Sequence, residues 1–138
     1  MKSQNQQHIV IIGGGFSGIA TAKELKKSKY KVTLIDKTNH HLFQPLLYQV
    51  ATAGLSPGDI AAPIRSLIGG QPNMRVLLGE VTDVHPEKKF IELADERTID
   101  YDKLIMAPGA QYNYFGNDEW KEGIRSGIEV HIRCTEYA

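Results

Sequence analysis

The sequence has a single cysteine, no surplus of charge and no long apolar run. Cys134 has no second thiol with which to form an internal disulfide or a redox pair. Lysine plus arginine number 16, as do aspartate plus glutamate, so nothing basic is left over to neutralise a phosphate polymer. The longest aliphatic run, residues 9–12, is far short of the roughly 20 residues that span a bilayer. We therefore predict no nucleic-acid partner and no transmembrane segment.

The length of 138 residues suits one domain and leaves no room for two complete nucleotide-binding domains. Residues 1–7 are polar and lack the apolar core and small-residue cleavage site of a signal peptide. We therefore expect residues 1–138 to form one domain with a cytoplasmic location.

Residues 8–36 have the pattern of a strand, a helix and a second strand. Residues 9–12 are aliphatic without alternation, which is typical of a strand buried on both faces of a parallel sheet. Apolar residues recur at helical spacing within residues 17–28, and residues 31–35 predict the second strand. The crossover between two such parallel strands is right-handed.

The rest of the chain predicts a larger α/β fold. Residues 37–57 have no clean period and predict a long apolar loop, followed by a short helix at 59–68 and a third strand at 74–78. Three short strands separated by polar turns, at residues 81–85, 90–93 and 98–101, predict an antiparallel meander. One more apolar run, at residues 104–107, predicts a return to the parallel sheet. Beyond Gly109 we expect a loop through Trp120 and a helix from Glu129. The fold class predicted is a Rossmann-like parallel sheet with a small antiparallel meander.

The turn after the first strand matches the G-x-G-x-x-G pattern over residues 13–18. Gly13 permits the tight turn, Gly15 lets the backbone approach a pyrophosphate, and Gly18 lets the helix pack closely on the strand. A pyrophosphate over the helix N-terminus would meet amide N–H groups and the positive end of the helix dipole. The pattern therefore predicts a dinucleotide site.

Asp36 ends the second strand, 18 positions after Gly18, which is close to the spacing of the carboxylate that accepts hydrogen bonds from an adenosine ribose. Its negative charge argues against a 2′-phosphate. The alternative is that the glycines only form a turn and that Asp36 is a solvated carboxylate. The fingerprint alone also leaves another dinucleotide, or S-adenosylmethionine, open.

Two later segments resemble known flavoproteins. Residues 101–110, Tyr-Asp-Lys-Leu-Ile-Met-Ala-Pro-Gly-Ala, resemble the second FAD-contacting motif of flavoproteins with two dinucleotide-binding domains. Residues 40–55, His-His-Leu-Phe-Gln-Pro-Leu-Leu-Tyr-Gln-Val-Ala-Thr-Ala-Gly-Leu, are similar to the loop after the second strand in type II NADH:quinone oxidoreductases, the non-proton-pumping NADH dehydrogenases. With weaker matches at 78–81 and 114–120, the resemblance runs from about residue 8 to about residue 133.

The resemblance implies FAD as the cofactor and assigns residues to each part of it. The pyrophosphate would be held by Gly13, Gly15, Phe16, Ser17 and Gly18, the adenosine by Asp36 and Lys37, the adenine by the backbone of Val81, the middle of the cofactor by Ala107 and Gly109, and the flavin end by Thr52 and Ala53. Pro108 departs from the family, which usually has threonine there. A proline supplies neither a hydroxyl nor an N–H, so it can donate no hydrogen bond.

The resemblance also implies a reaction, in which NADH reduces FAD and the flavin reduces a quinone. Residues 37–58 contain no cysteine, which excludes the branch of the superfamily that relays electrons through a cysteine pair after strand two. Phe43, Leu46, Leu47 and Tyr48 are apolar and could shape an approach for a quinone ring, or could pack under the flavin as core.

Further segments of the family are expected to be missing from this sequence: the NADH domain and the C-terminal part that attaches to the membrane. We expect these 138 residues to be the FAD-binding part, inactive alone, of a parent on the cytoplasmic face of a membrane. The alternatives are a flavin reductase of the same architecture that serves a ferredoxin-like protein, and a non-catalytic FAD-binding fragment.

His40 and His41 suggest a metal site, but neighbouring side chains of an extended segment point to opposite faces and no cysteine or carboxylate cluster accompanies them. We therefore expect no metal.

Overall fold

The protein is described by a computed structural model, which covers residues 6–109 in two units. Residues 6–41 and 63–109 belong to the first, which we call the sheet unit, and residues 42–62 belong to the second, which we call the insert. The predicted loop through Trp120, the predicted helix from Glu129 and the family-like residues 114–120 lie outside the described residues.

A four-stranded parallel sheet forms the centre of the sheet unit. From one edge to the other its strands are β5 (Met74–Leu78), β2 (Lys31–Asp36), β1 (His8–Ile12) and β9 (Lys103–Met106). The strand in the middle, β1, pairs in parallel with both β2 and β9. The predicted Rossmann-like sheet is confirmed, including the return of the chain beside the first strand.

Helices cover one face of this sheet and the meander covers the other. The helices are α1 (Phe16–Glu24), which continues as a 3-10 turn over Leu25–Lys27, and α3 (Ile64–Ile68). The meander consists of the antiparallel strands β6 (Val81–His85), β7 (Phe90–Leu93) and β8 (Thr98–Asp100). The predicted small antiparallel sheet is confirmed.

Two apolar clusters explain why β1 shows no alternation of apolar and polar residues. Successive side chains of a strand point to opposite faces of a sheet. One cluster, on the helix side, contains Ile9 and Ile11 of β1 with Ala22 of α1. The other, on the meander side, contains Val10 with Ile91 of β7. Since both faces of β1 are buried, every position of the strand is apolar after His8.

The segment after β2 has more local structure than the sequence predicts. The strands β3 (His40–Leu42) and β4 (Ala61–Pro63) contain the points where the chain enters and leaves the insert. Within the insert, a 3-10 turn at Gln44–Leu46 leads into α2 (Leu47–Ala51), and a second turn lies at Pro57–Asp59. The expectation of a long loop without regular structure over residues 37–57 was therefore wrong. These elements are too short to produce a recognisable period of apolar residues in the sequence.

The helix expected at residues 59–68 begins only at Ile64. Pro63 disfavours helical geometry in the residue before it, and Ala61–Pro63 forms β4 instead. Pro63 then supplies the extended N-cap of α3, and Gly69 ends the helix with a φ of 57°. None of the helices among residues 6–109 has the length and apolar composition needed to cross a bilayer.

We predict that His8 makes the stability of the fold sensitive to acid. Its half-buried ring lies 2.8 Å from the Thr33 hydroxyl, and burial, with Lys31 as a second cause, lowers the pKa of His8 below its usual 6.5. The unfolded chain therefore binds a proton more readily than the folded chain, so the contribution of neutral His8 to stability is lost as the pH falls below about 6.5. Urea unfolding at about pH 5.5 and about pH 7.5 should show a larger acid loss for the native chain than for His8→Gln. Equal losses would contradict the prediction.

Candidate nucleotide-binding site

The glycine turn lies at the carboxyl edge of the parallel sheet, between β1 and α1. Gly13 has a φ of 103° and donates its N–H to the Ile35 carbonyl at 2.8 Å. A Cβ at this position would overlap the carbonyl group of Ala107, which follows β9. Gly13 is therefore required both by its conformation and by the closeness of the neighbouring strand.

Gly18 brings the first turn of α1 against the glycine turn. A Cβ on Gly18 would overlap the carbonyl oxygen of Gly13, and Gly18 is buried. The predicted role of this glycine, close packing of helix and strand, agrees with this geometry.

Gly15 is the N-cap of α1 and faces open space. Among residues 6–109, no atom outside its own chain neighbours lies within 4 Å of the position that a Cβ would take. No side chain of this part of the chain caps the helix, and the first turn of the helix contains no acidic residue. The amide groups of Gly15, Ser17 and Gly18 donate no hydrogen bond to the backbone of the described residues. This uncapped end presents N–H groups and a partial positive charge, which is the environment that an anion requires.

The Asp36 carboxylate is directed at the glycine turn. One oxygen, Oδ2, accepts the N–H of Gly14 at 2.5 Å. The other, Oδ1, accepts the N–H and the hydroxyl of Thr38, both at 2.7 Å. A carboxylate has about four acceptor positions, so one remains for a ribose hydroxyl. Because the Gly14 N–H already donates to Asp36, the N–H groups of Gly15, Ser17 and Gly18 are the ones that could bind a pyrophosphate.

His41 contacts the same turn and was not assigned a role from the sequence. Its Nδ1 atom lies 3.2 Å from the carbonyl oxygen of Gly14. Its ring meets the ring of Phe16 edge to face, with centroids 4.7 Å apart and planes at 87°. Thr38 was also missed, although an aspartate followed two residues later by threonine is a signal for a local side-chain turn.

The other predicted residues of the sheet unit lie along the same edge. Ala107 donates its N–H to the Ile12 carbonyl at 2.8 Å, and Gly109 has a φ of 74°. Val81 begins β6 two residues after Gly79, whose N–H donates to the Asp36 carbonyl at 2.9 Å. The site therefore collects residues that end or follow the four strands of the parallel sheet. Lys37, next to Asp36, is exposed.

Two exposed apolar side chains also lie at the carboxyl edge. Leu78 and Met106, the last residues of β5 and β9, are 54% and 63% exposed. Sequence reasoning assigned them only to strands.

Thr52 and Ala53, predicted to approach the flavin end, lie in the insert. The Thr52 hydroxyl donates to the Tyr48 carbonyl at 3.1 Å, and Ala53 has a φ of 58°. Both side chains are exposed, and their role stays a prediction. Among residues 6–109, no group of three histidine, cysteine, aspartate or glutamate side chains is arranged to hold a metal.

Comparison with known proteins gives a consistent family. The family model described as pyridine nucleotide-disulphide oxidoreductase matches residues 7–136. Two type II NADH:quinone oxidoreductases of Mycobacterium tuberculosis are similar to the chain. NdhA is 52% identical over 83% of this chain and 25% of its own length. Ndh is 46% identical over 85% of this chain and 26% of its own length. The chain thus spans about a quarter of the length of these relatives.

Solved structures share the fold. The structure of NDH2 from Plasmodium falciparum in complex with NADH has a TM-score of 0.72 and 31% identity, over 81% of this chain and 24% of that chain. The sulfide:quinone oxidoreductase of Aquifex aeolicus has a TM-score of 0.73 and 25% identity, over 83% of this chain and 27% of that chain. The resemblance stated from the sequence is confirmed.

We predict that the same substitution destabilises the fold at Gly18 and has little effect at Gly15. Gly18→Ser forces its Cβ into the Gly13 carbonyl and should lower the free energy of unfolding by roughly 1–3 kcal/mol. Gly15→Ser places a favourable N-cap residue in open space and should change it by only a few tenths of a kcal/mol. Urea unfolding of both variants measures the difference. Equal destabilisation would show that Gly15 is also packed.

Proposed function

The chain belongs to the pyridine nucleotide-disulphide oxidoreductase family, and from this premise we propose that its glycine turn holds the pyrophosphate of FAD in an NADH dehydrogenase that reduces a quinone. The observation that carries the proposal is the end of α1, where an uncapped helix N-terminus with open space at Gly15 lies beside a carboxylate, Asp36, that faces the same turn. A diphosphate linked to a ribose fits both features.

The residues present fit FAD along the carboxyl edge of the sheet. The amides of Gly15, Ser17 and Gly18 would hold the pyrophosphate, and the remaining acceptor position of Asp36 would take a ribose hydroxyl. The backbone at Val81, Ala107 and Gly109 would line the rest of the cofactor. Pro108 offers no donor, so hydrogen bonds at that point must come from its neighbours.

Bound FAD would supply the redox chemistry, which takes electrons from NADH and delivers them to the acceptor, and the protein would contribute placement and electrostatics. The family name and the relatives named NADH:quinone oxidoreductases support this choice over S-adenosylmethionine or a lone NAD. The negative charge of Asp36 disfavours a phosphate on the 2′-hydroxyl, which supports FAD, whose adenosine ribose carries none.

A quinone as acceptor is supported by the surface of the insert. Phe43 and Tyr48 are 42% and 63% exposed, and Leu46 and Leu47 are partly exposed. An apolar surface of this kind suits a quinone ring better than a charged protein carrier. The absence of cysteine from residues 37–58 leaves no dithiol to take the electrons first. Because a quinone of this kind would be dissolved in a membrane, we propose that the protein acts at the cytoplasmic face of a membrane.

We predict that the chain retains FAD and that Gly15→Ser weakens its affinity about 10- to 100-fold. The serine side chain occupies the space over the helix end, and its hydroxyl competes for amides that otherwise make charge-assisted hydrogen bonds to the pyrophosphate. Titration with FAD, followed by quenching of flavin fluorescence, measures the affinity. The comparison is meaningful because this variant is expected to keep the stability of the native chain.

The same preparation tests the rest of the proposal. NADH consumption with a soluble quinone would support the whole reaction, whereas retention of FAD without turnover would support FAD binding by these residues alone. A chain that retains no added FAD, or a Gly15→Ser variant with native affinity, would contradict the assignment of the glycine turn.

A further inference from the structure

We propose that His41 is a positioning residue, which fixes the peptide group between Gly14 and Gly15 so that the Gly15 N–H faces the FAD pyrophosphate. The inference rests on the proposed binding of FAD. It assigns a task to a side chain that lies on the strand after β2 and outside the glycine fingerprint. The observations that carry it are the contacts on the two sides of Gly14.

The two peptide groups that flank Gly14 are held by two different side chains. The N–H of Gly14 donates to Oδ2 of Asp36, which fixes the peptide group before the residue. The carbonyl oxygen of Gly14 lies 3.2 Å from Nδ1 of His41, which fixes the peptide group after it. Asp36 ends β2 and His41 lies in β3, so one short stretch of chain provides both anchors.

Both of these peptide groups join two glycines, so no Cβ on either side restricts their rotation. The second one needs an anchor more than the first, because Gly13 lies against Ala107 whereas Gly15 faces open space. Gly14 itself is buried and lies so close to the Ile64 side chain and Asp36 that a Cβ would meet them. Packing alone therefore does not fix the orientation of the peptide group between Gly14 and Gly15.

Anchoring the carbonyl also aims the amide. A trans peptide group is planar, so its C=O and N–H point in opposite directions. When the Gly14 carbonyl points at His41, the N–H of Gly15 must point to the other side. Rotation of this plane would turn a carbonyl oxygen, instead of an N–H, toward the anion and would add repulsion to the loss of a hydrogen bond.

The chemistry of the contact fixes the protonation of the ring. A carbonyl oxygen can only accept, so Nδ1 of His41 carries the proton, and in the neutral ring Nε2 then carries none. The edge-to-face contact with Phe16, the first residue of α1, holds the imidazole in the plane that this bond requires. His41 therefore links the strand after β2 to the start of the helix.

A pair of substitutions separates positioning from ordinary packing. The amide nitrogen of asparagine can take the place of Nδ1, whereas that of glutamine takes the place of Nε2. We expect His41→Gln to weaken FAD binding about three- to tenfold, the effect of losing one hydrogen bond, and His41→Asn to stay within about twofold of the native chain. His40→Asn is the matched control, because the contact with the glycine turn comes from the ring of His41 and not from that of His40. This variant should bind FAD as the native chain does.

A second measurement needs no FAD. Nitrogen-15 NMR of the neutral imidazole of His41 should show the proton on Nδ1, and His41→Gln should shift the amide resonance of Gly15 while His40→Asn leaves it unchanged. A proton on Nε2, an unchanged Gly15 resonance, or equal FAD affinities for His41→Gln and His41→Asn would overturn the proposal. If the native chain binds no FAD, the proposed function fails, and the NMR result still decides whether His41 orients the turn.

Discussion

The site depends on backbone groups that approach one another more closely than any side chain permits. Gly13 lies against the carbonyl of Ala107, and Gly18 lies against the carbonyl of Gly13. These contacts bring β1, β9 and the first turn of α1 to a single point at the carboxyl edge of the sheet. Because the parallel order of the strands puts β1 between β2 and β9, the sheet topology itself creates the place where an anion meets a helix end.

Asp36 has a structural role in the turn beside the role in ligand binding that is proposed for it. Its carboxylate accepts three hydrogen bonds, one from Gly14 and two from Thr38. These donors fix the carboxylate in the turn. The charge proposed to favour a ribose hydroxyl over a phosphate is therefore held in place by the protein's own donors.

Much of this fold could be predicted from the sequence, because its main signals are local. The central strand β1 is a short aliphatic run after His8, and the glycine fingerprint requires a particular turn. The segment after β2 could not be predicted in the same way, since elements of three to five residues such as β3 and α2 have no period. His41 was missed because its importance lies in a contact 27 residues away along the chain, with Gly14. In the sequence, the adjacent residues His40 and His41 suggest only a metal site.

The electrostatics of the turn set a condition on what it can hold. A helix N-terminus favours a negative ligand, but the Asp36 carboxylate beside it disfavours one that adds charge close to the acid. An anion must therefore lie toward Gly15 and Ser17, while a neutral, donor-bearing group such as a ribose must lie toward Asp36. A ligand that joins a diphosphate to an unphosphorylated ribose meets both conditions in one molecule. The order of the two features along the edge thus sets the direction in which a dinucleotide would bind, with its ribose toward Asp36 at the end of β2 and its diphosphate toward the first turn of α1.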